Sequence, residues 1–190
     1  TIATSYAYCL SSLPSENNSV DTRNYSRHYR KRLSAESLLD SICQITEVPE
    51  NFAAMPPGSR ATELWTHRVN SLFLDAFGRP DPNQDPPCER TSATTVVQAL
   101  HLMNSEGLFA KCTNAKSLAA QLAESERTPA EIVTHLYLAV YSRRPTPEEL
   151  DIGVRLYDNT SEADAVAKRR TATEDLLWAM LNTPEFVFKD

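Results

Sequence analysis

The sequence predicts an all-α protein: an irregular bundle of five or more helices, with an extended N-terminal arm and a proline-rich structural loop. Three observations carry the prediction. From residue 34 onward apolar residues recur at a period near 3.6, the repeat of an amphipathic helix. Thr128-Pro129-Ala130-Glu131 and Thr146-Pro147-Glu148-Glu149 are capping boxes with proline at the first helical position. Glycine is only 4 of 190 residues, too scarce for a turn-rich β fold.

Taken in order, Ile2, Thr4, Tyr6, Tyr8 and Leu10 alternate, which reads as a short strand or an extended packing arm. Residues 11–26 are a polar loop. The first helix starts behind Ser34, with Leu33 and Leu38 at the spacing of a hydrophobic staple. It carries Leu38, Leu39, Ile42, Ile45 and Val48 to Pro49. Residues 49–60 are a loop and 61–70 carry no clear period. Ser71 to Phe77 reads as a short helix with Leu74 and Phe77 inward, closed by Gly78.

Residues 79–90 hold four prolines. Each fixes its own φ and restricts its predecessor, so this loop is expected to keep one shape, pinned to a helix beginning near Ser92. Val96, Leu100 and Met103 form the next stripe, and Leu108, Cys112, Ala115, Leu118 and Leu122 another. The two boxes open an antiparallel helical hairpin with Ile132, Val133, Leu136, Tyr137 and Val140 facing Leu150, Val154 and Tyr157. Arg143-Arg144 suits the C-terminus of its first helix. A long helix from about Glu162 to Leu181 follows, with Val166, Thr173, Leu177 and Met180 on its face, and Thr183-Pro184 opens one further turn. The chain is expected to form one domain over 1–190, with 1–33 as arm and loop and 34–190 as helical core. It does not begin with Met, which suggests a processed product or the C-terminal part of a longer protein.

Lys plus Arg is 19 and Asp plus Glu is 25, a net charge of −6 with pI near 5.3. That balance argues against a dedicated nucleic-acid binder. No run of about 18 apolar residues predicts a membrane span, and residues 1–6 show no signal-peptide pattern. Cys9, Cys43, Cys88 and Cys112 form no C-x-x-C pair, against a zinc ribbon, a redox pair or covalent haem attachment. They are small buried hydrophobes, or one or two disulfides if the protein is exported. Phosphate-loop, nucleophile-elbow and metalloprotease motifs are missing, and His28, His67, His101 and His135 are isolated. No metal and no cofactor are expected in this chain.

Two sets of residues have chemistry to offer. A basic run from Arg23 to Arg32, with Arg27, Arg30, Lys31 and Arg32, interleaves with Tyr25 and Tyr29, a pattern that binds an anionic polymer (sulfated or uronic polysaccharide, or nucleic acid) by charge and stacking, or forms a solvated face or charge partners for acids elsewhere in the chain. Asp75, Arg79, Asp85, Glu89 and Arg90 cluster around the proline-rich loop. Paired carboxylates can cleave glycosides, whereas arginines can lock the same carboxylates into structural ion pairs.

A longer match is carried by Phe73-Leu74-Asp75-Ala76-Phe77-Gly78-Arg79-Pro80, Cys88-Glu89-Arg90 and Gln98-Ala99-Leu100-His101-Leu102-Met103-Asn104. Arg32 to Glu36, Leu176 to Phe186 and Tyr6 to Ser12 extend it to about residues 4–188. With these the chain resembles the uncharacterised C-terminal domain of planctomycete cytochrome-c-domain-containing exported proteins. Cys9 and Ser34 depart from that pattern, where a polar residue and proline are common. The resemblance implies an exported, periplasmic or cell-surface protein with further domains upstream, among them at times a haem module, and gene neighbours that encode sulfatase-like exported proteins. It assigns no catalytic residue.

The expected function is therefore a non-catalytic helical module making protein–protein or polysaccharide contacts. Its partners would be upstream domains of the same polypeptide, a sulfatase-like exported protein or a polysaccharide, with no nucleic acid and no membrane span. The alternative is a polysaccharide hydrolase using carboxylates near the proline-rich loop.

Overall fold

The computed structural model describes all residues except 1, 3, 7, 22, 54, 67, 82, 84–95, 160–163 and 190. Its described residues form nine α-helices and one two-residue β pairing, an all-α fold. The expected ordering of Asp85 to Arg90, the packing of Cys88 and the cap at Thr91 or Ser92 fall outside the described residues.

Helix α1 (Ala35–Thr46) begins at Ser34, whose hydroxyl accepts from the Ser37 amide. It buries Leu38, Leu39 and Ile42 and ends one turn earlier than Pro49, at Glu47 in the left-handed region. A single 3-10 turn, Ala61–Glu63, occupies the stretch where no period was legible. Helix α2 (Leu72–Ala76) follows, capped by Ser71. Its end is a Schellman motif: Arg79 N–H donates to the Leu74 carbonyl (3.1 Å) and Gly78 N–H to that of Asp75 (3.2 Å). Gly78 has φ +78°, which glycine adopts without strain.

Helix α3 (Val96–Asn104) corrects one expectation. Leu100 and Met103 are exposed, and the helix buries Gln98 and Leu102 instead. A second correction concerns 108–122, which is two helices, α4 (Glu106–Cys112) and α5 (Leu118–Glu124). Ser105 and Ser117 each accept a backbone amide three residues on, and Ala115 lies exposed in the turn between the helices. Local capping by serine won over the continuous apolar period.

Helices α6 (Pro129–Tyr141) and α7 (Pro147–Asn159) pack as the expected hairpin. Both boxes close: Thr128 N–H donates to Glu131 Oε2 (2.7 Å), and Thr146 N–H to Glu149 Oε2 (2.8 Å). Arg143 does not cap α6. It sits above the rings of Tyr137 and Tyr141 and donates to both Glu149 and Glu185, tying α6, α7 and the last turn together. Helix α8 (Ala165–Leu181) starts at an Asp164 cap, three residues later than expected, and Val166 is exposed. Its inner face, with Ala172, Thr173, Leu177 and Leu181, packs against α4, α5, α6 and α7, so α8 is the bundle's centre. Helix α9 (Pro184–Val187) is the further turn, capped by Thr183.

The N-terminal arm is not a strand. Among its described residues, Ser5, Tyr8 and Cys9 each donate a backbone amide to the carbonyl three residues back, as in turns, and Ile2, Tyr6 and Tyr8 are exposed instead of packed. Among the described residues the strand that forms, β1 (Lys31–Arg32), lies inside the basic run and pairs antiparallel with β2 (Phe188–Lys189), joining the segment before α1 to the C-terminal residues. Cys112 is buried, Cys43 half-buried and Cys9 exposed, all as free thiols; burial pushes the Cys112 thiol up to about 12.

Cations close the helix ends. Lys111 of α4 is buried and donates to the carbonyls of Val48 (3.1 Å) and Pro49 (3.2 Å), just past α1. Arg32 donates to Phe77 at the end of α2 (2.9 Å), and Arg170 to Thr113 at the end of α4 (3.2 Å). Arg169 donates to Ala123 (2.7 Å) and Ser125 (2.8 Å) at the end of α5.

Two outcomes test this packing. A Cβ on Gly153 of α7 would lie 2.8 Å from Val133 Cγ1 of α6, and Val133 is fully buried and stiff in χ1. Gly153→Ala should cost about 1–2 kcal/mol in urea unfolding, overpacking exceeding the gain in helix propensity. In a Val133→Ala background the same change should be neutral or stabilising, and a simple sum of the two single effects would contradict the close approach. The second outcome is a pH dependence. Donation from Arg143, then from the Thr146 amide, holds the Glu149 carboxyl at about 2, below the ordinary 4.5. The stabilisation is full above 4.5 and is lost as pH falls toward 2. The urea midpoint of the wild type should drop over that window, and Glu149→Gln should show a smaller drop.

Candidate functional site

The expected site residues fall into two sets in the structure. In the first, Tyr25 and Tyr29 have ring centroids 5.8 Å apart, and the Arg27 guanidinium lies 5.2 Å from the Tyr29 centroid. Tyr25 is exposed at φ +52°, and Arg30 is exposed. Arg27 Nη1 also reaches the Ser12 carbonyl (3.4 Å), so the basic run holds the arm loop together. Arg32 of the same run reaches the α2 region.

In the second set, Arg79 Nε donates to Asp75 Oδ1 at 2.6 Å, one helical turn apart. Asp75 remains 46% exposed, whereas the Arg79 side chain is 3% exposed. Asp85, Glu89 and Arg90 lie outside the described residues. Arg79 Nη1 is buried and, among the described residues, has no hydrogen-bond partner. A buried guanidinium hydrogen without an acceptor is costly.

Arg79 forms part of the wall of a cleft of about 550 Å³. Three segments build it. One is the N-terminus of α1, with Ser34 and Glu36. The second is the 3-10 turn and its continuation, with Thr62, Trp65 and Thr66. The third is the end of α2, with Leu74, Arg79 and Pro80. The Schellman motif at Gly78 turns the chain so that Arg79 returns beneath this space.

The second segment is held by Asp40, a residue that sequence reasoning missed. Asp40 sits buried on α1 and accepts from the Ala61 amide (2.6 Å), the Thr62 amide (3.1 Å) and the Thr62 hydroxyl (2.7 Å). Arg60 Nε lies 3.5 Å away. It thus caps the 3-10 turn from another helix and sets where Trp65 emerges. Trp65 is 77% exposed. A lone Asp among Leu39, Ser41 and Ile42 gives no sequence signal, since its partners are 21 and 22 residues away.

A second cleft of about 550 Å³ lies between α2 and α4, lined by Asn51, Asn70, Phe73, His101, Asn104 and Glu106 among others. There His101 packs edge-on to Phe73 and Phe77. Among the described residues no group of three His, Cys, Asp or Glu is placed to hold a metal ion, and no helix is long and apolar enough to cross a membrane.

The geometry defines a helical module with a cleft of mixed polar and apolar lining, an aromatic side chain at its lip and an arginine in its wall. The chain belongs to the PSD1 family, a protein family of unknown function (DUF1553), whose model matches residues 1–157. No curated protein and no solved structure matches it.

The role given to Asp40 has a direct check. Asp40→Ala leaves the Ala61 amide and the Thr62 groups without their acceptor and should cost about 1–3 kcal/mol in chemical denaturation. Asp40→Asn, which keeps one acceptor oxygen, should cost less. Equal midpoints for wild type and Asp40→Ala would show that the turn stands without it.

Proposed function

We propose that this chain is a non-catalytic module of an exported, multidomain protein and that it contacts polysaccharide through the Trp65 cleft. The observation that carries the reading is the placement of Trp65. An indole exposed at the lip of a cleft offers a flat apolar face to a sugar ring. The hydroxyls of Ser34, Thr62 and Thr66 line the same space and both donate and accept. The large cost of leaving an indole in water is recovered when a pyranose covers it.

Binding is favoured over hydrolysis by Asp75. Glycoside cleavage needs two carboxyl groups facing one bond. The Asp75 carboxylate is instead tied to Arg79 Nε, which makes it a structural partner. The exposed Ile2, Tyr6, Tyr8 and Leu13 of the arm favour, as a second contact, an upstream domain of the same polypeptide.

Trp65 gives the test its signal, because the other tryptophan, Trp178, packs against the core. Titrating a panel of neutral and acidic oligosaccharides should quench or shift the indole emission for at least one sugar. Trp65→Ala should weaken that binding by about 10-fold or more while leaving the unfolding midpoint unchanged. A panel without any binder would end the polysaccharide reading.

A further inference from the structure

We propose that the arm loop around Tyr25 binds acidic polysaccharide, with Tyr25 stacking on a sugar ring and the arginines of the basic run meeting its carboxylate or sulfate groups. Among the described residues none of this loop lines the Trp65 cleft, so this is a second surface, and its test is independent of the first.

The first observation is charge. Residues 23–32 hold Arg23, Arg27, Arg30, Lys31 and Arg32 and no acid; the 19 basic residues less these five, against 25 acids, leave the rest of the chain at −11. In the helical core, arginines meet carboxylates: Arg79 meets Asp75, Arg143 meets Glu149 and Glu185, Arg155 meets Asp151, and Arg170 meets Glu124 and Glu174. Arg23, Arg27 and Lys31 make no such ion pair among the described residues. The nearest acid, Asp21, is engaged inside the loop. Its carboxylate accepts from the Arg23 and Asn24 amides (3.0 Å each) and from the Ser26 hydroxyl (2.6 Å). Cations gathered without counter-charges repel one another, and an anionic partner relieves that cost.

The second observation is the aromatic geometry. Tyr25 is 73% exposed and holds φ +52°, a left-handed conformation that bulky side chains rarely adopt. The bonds to Asp21, with Asn18 Nδ2 donating to the Ser26 carbonyl (3.4 Å), fix the loop on both sides of it and hold the ring out in solvent. Tyr29 lies beside it, its ring tilted by 51° at 5.8 Å between centroids, and the Arg27 guanidinium stands 5.2 Å from the Tyr29 centroid. Two aromatic rings and a cation thus form one contiguous cluster, flanked in the chain by the exposed Arg23 and Arg30. An aromatic face covers the apolar face of a sugar, and a guanidinium fork takes a carboxylate or a sulfate. A polysaccharide suits this surface better than nucleic acid. A duplex carries one charge per ~1.7 Å of axis, a dense negative rod against a body at −11. An acidic sugar chain spaces its charges by whole rings, and each ring brings a face to stack.

Calorimetric titration with maltotetraose, a homogalacturonan tetramer, a sulfated carrageenan tetramer and a deoxythymidine oligonucleotide decides the matter. At least one acidic tetramer should bind about 10-fold or more tightly than maltotetraose, with an affinity that falls as salt is added. Whichever acidic tetramer binds better names the anion. Tyr25→Ala should weaken that tetramer by about 5-fold or more, the size of one lost stacking contact. The double variant Arg23→Gln/Arg30→Gln should cut its preference over maltotetraose by about 3-fold or more. All three side chains are exposed, so the urea midpoints should match the wild type. Both losses should persist in a Trp65→Ala background. Acidic-tetramer binding that Tyr25→Ala and the double variant leave intact overturns the arm site, and its disappearance in Trp65→Ala alone would assign it to the cleft instead. Equal affinity for neutral and acidic tetramers overturns the selection of an anion. An oligonucleotide that binds more tightly than either acidic tetramer overturns the choice of polysaccharide. Failure of the cleft reading looks different: Trp65→Ala then changes nothing, while the Tyr25 and arginine variants still lose the acidic tetramer.

Discussion

Helices in this chain are short, and each ends by leaving carbonyl oxygens with no partner inside the helix. Four of those ends are met by long basic side chains from elsewhere: Lys111 past α1, Arg32 at α2, Arg170 at α4 and Arg169 at α5. Each cation both donates to carbonyls and neutralises the negative end of a helix dipole. Arg169 and Arg170 are neighbours on α8, so the central helix fixes the ends of two others at once. The arrangement converts local helix termini into long-range constraints. It also explains why an acidic chain keeps a buried lysine: removing Lys111 would strand the Val48 and Pro49 carbonyls in a place where water is scarce.

The cleft uses the same logic with the sign reversed. There an acid, Asp40, reaches from α1 to the amides that open the 3-10 turn. Remote capping of N–H groups by a carboxylate sets the Thr62–Thr66 wall as firmly as cation capping sets the helix ends. Arg79 stands apart from both patterns. Asp75 takes its Nε, its own amide completes the α2 terminus, and its Nη1 is left over.

How much of this was legible can be judged from particular residues. Thr128, Thr146 and Gly78 announced their roles because caps and left-handed turns act within four residues of the side chain that makes them. Leu100 and Met103 misled because helical period says that one face is apolar, not that a partner covers it. The stripe from Leu108 to Leu122 misled for a related reason: two short helices with a tight turn keep nearly the same apolar spacing as one long helix. Arg79 and Asp75 were legible as members of a cluster of acids and arginines, and the structure decided that these two pair one helical turn apart. Trp65 was not, since it lies in a stretch without period, and its placement depends on Asp40 of α1, which holds the turn before it.

By itself the sequence determined the helical class, the places where most helices begin and the α6–α7 hairpin. Each depends on interactions between residues a few positions apart. Tertiary structure alone decided which helix lies at the centre, which cations close which ends, that the basic run meets Phe188–Lys189 as a strand, and that α1, the 3-10 turn and α2 surround one cleft. Those contacts join residues tens of positions apart. Their energy exists only once the whole chain has closed the intervening loops, so no local pattern records them.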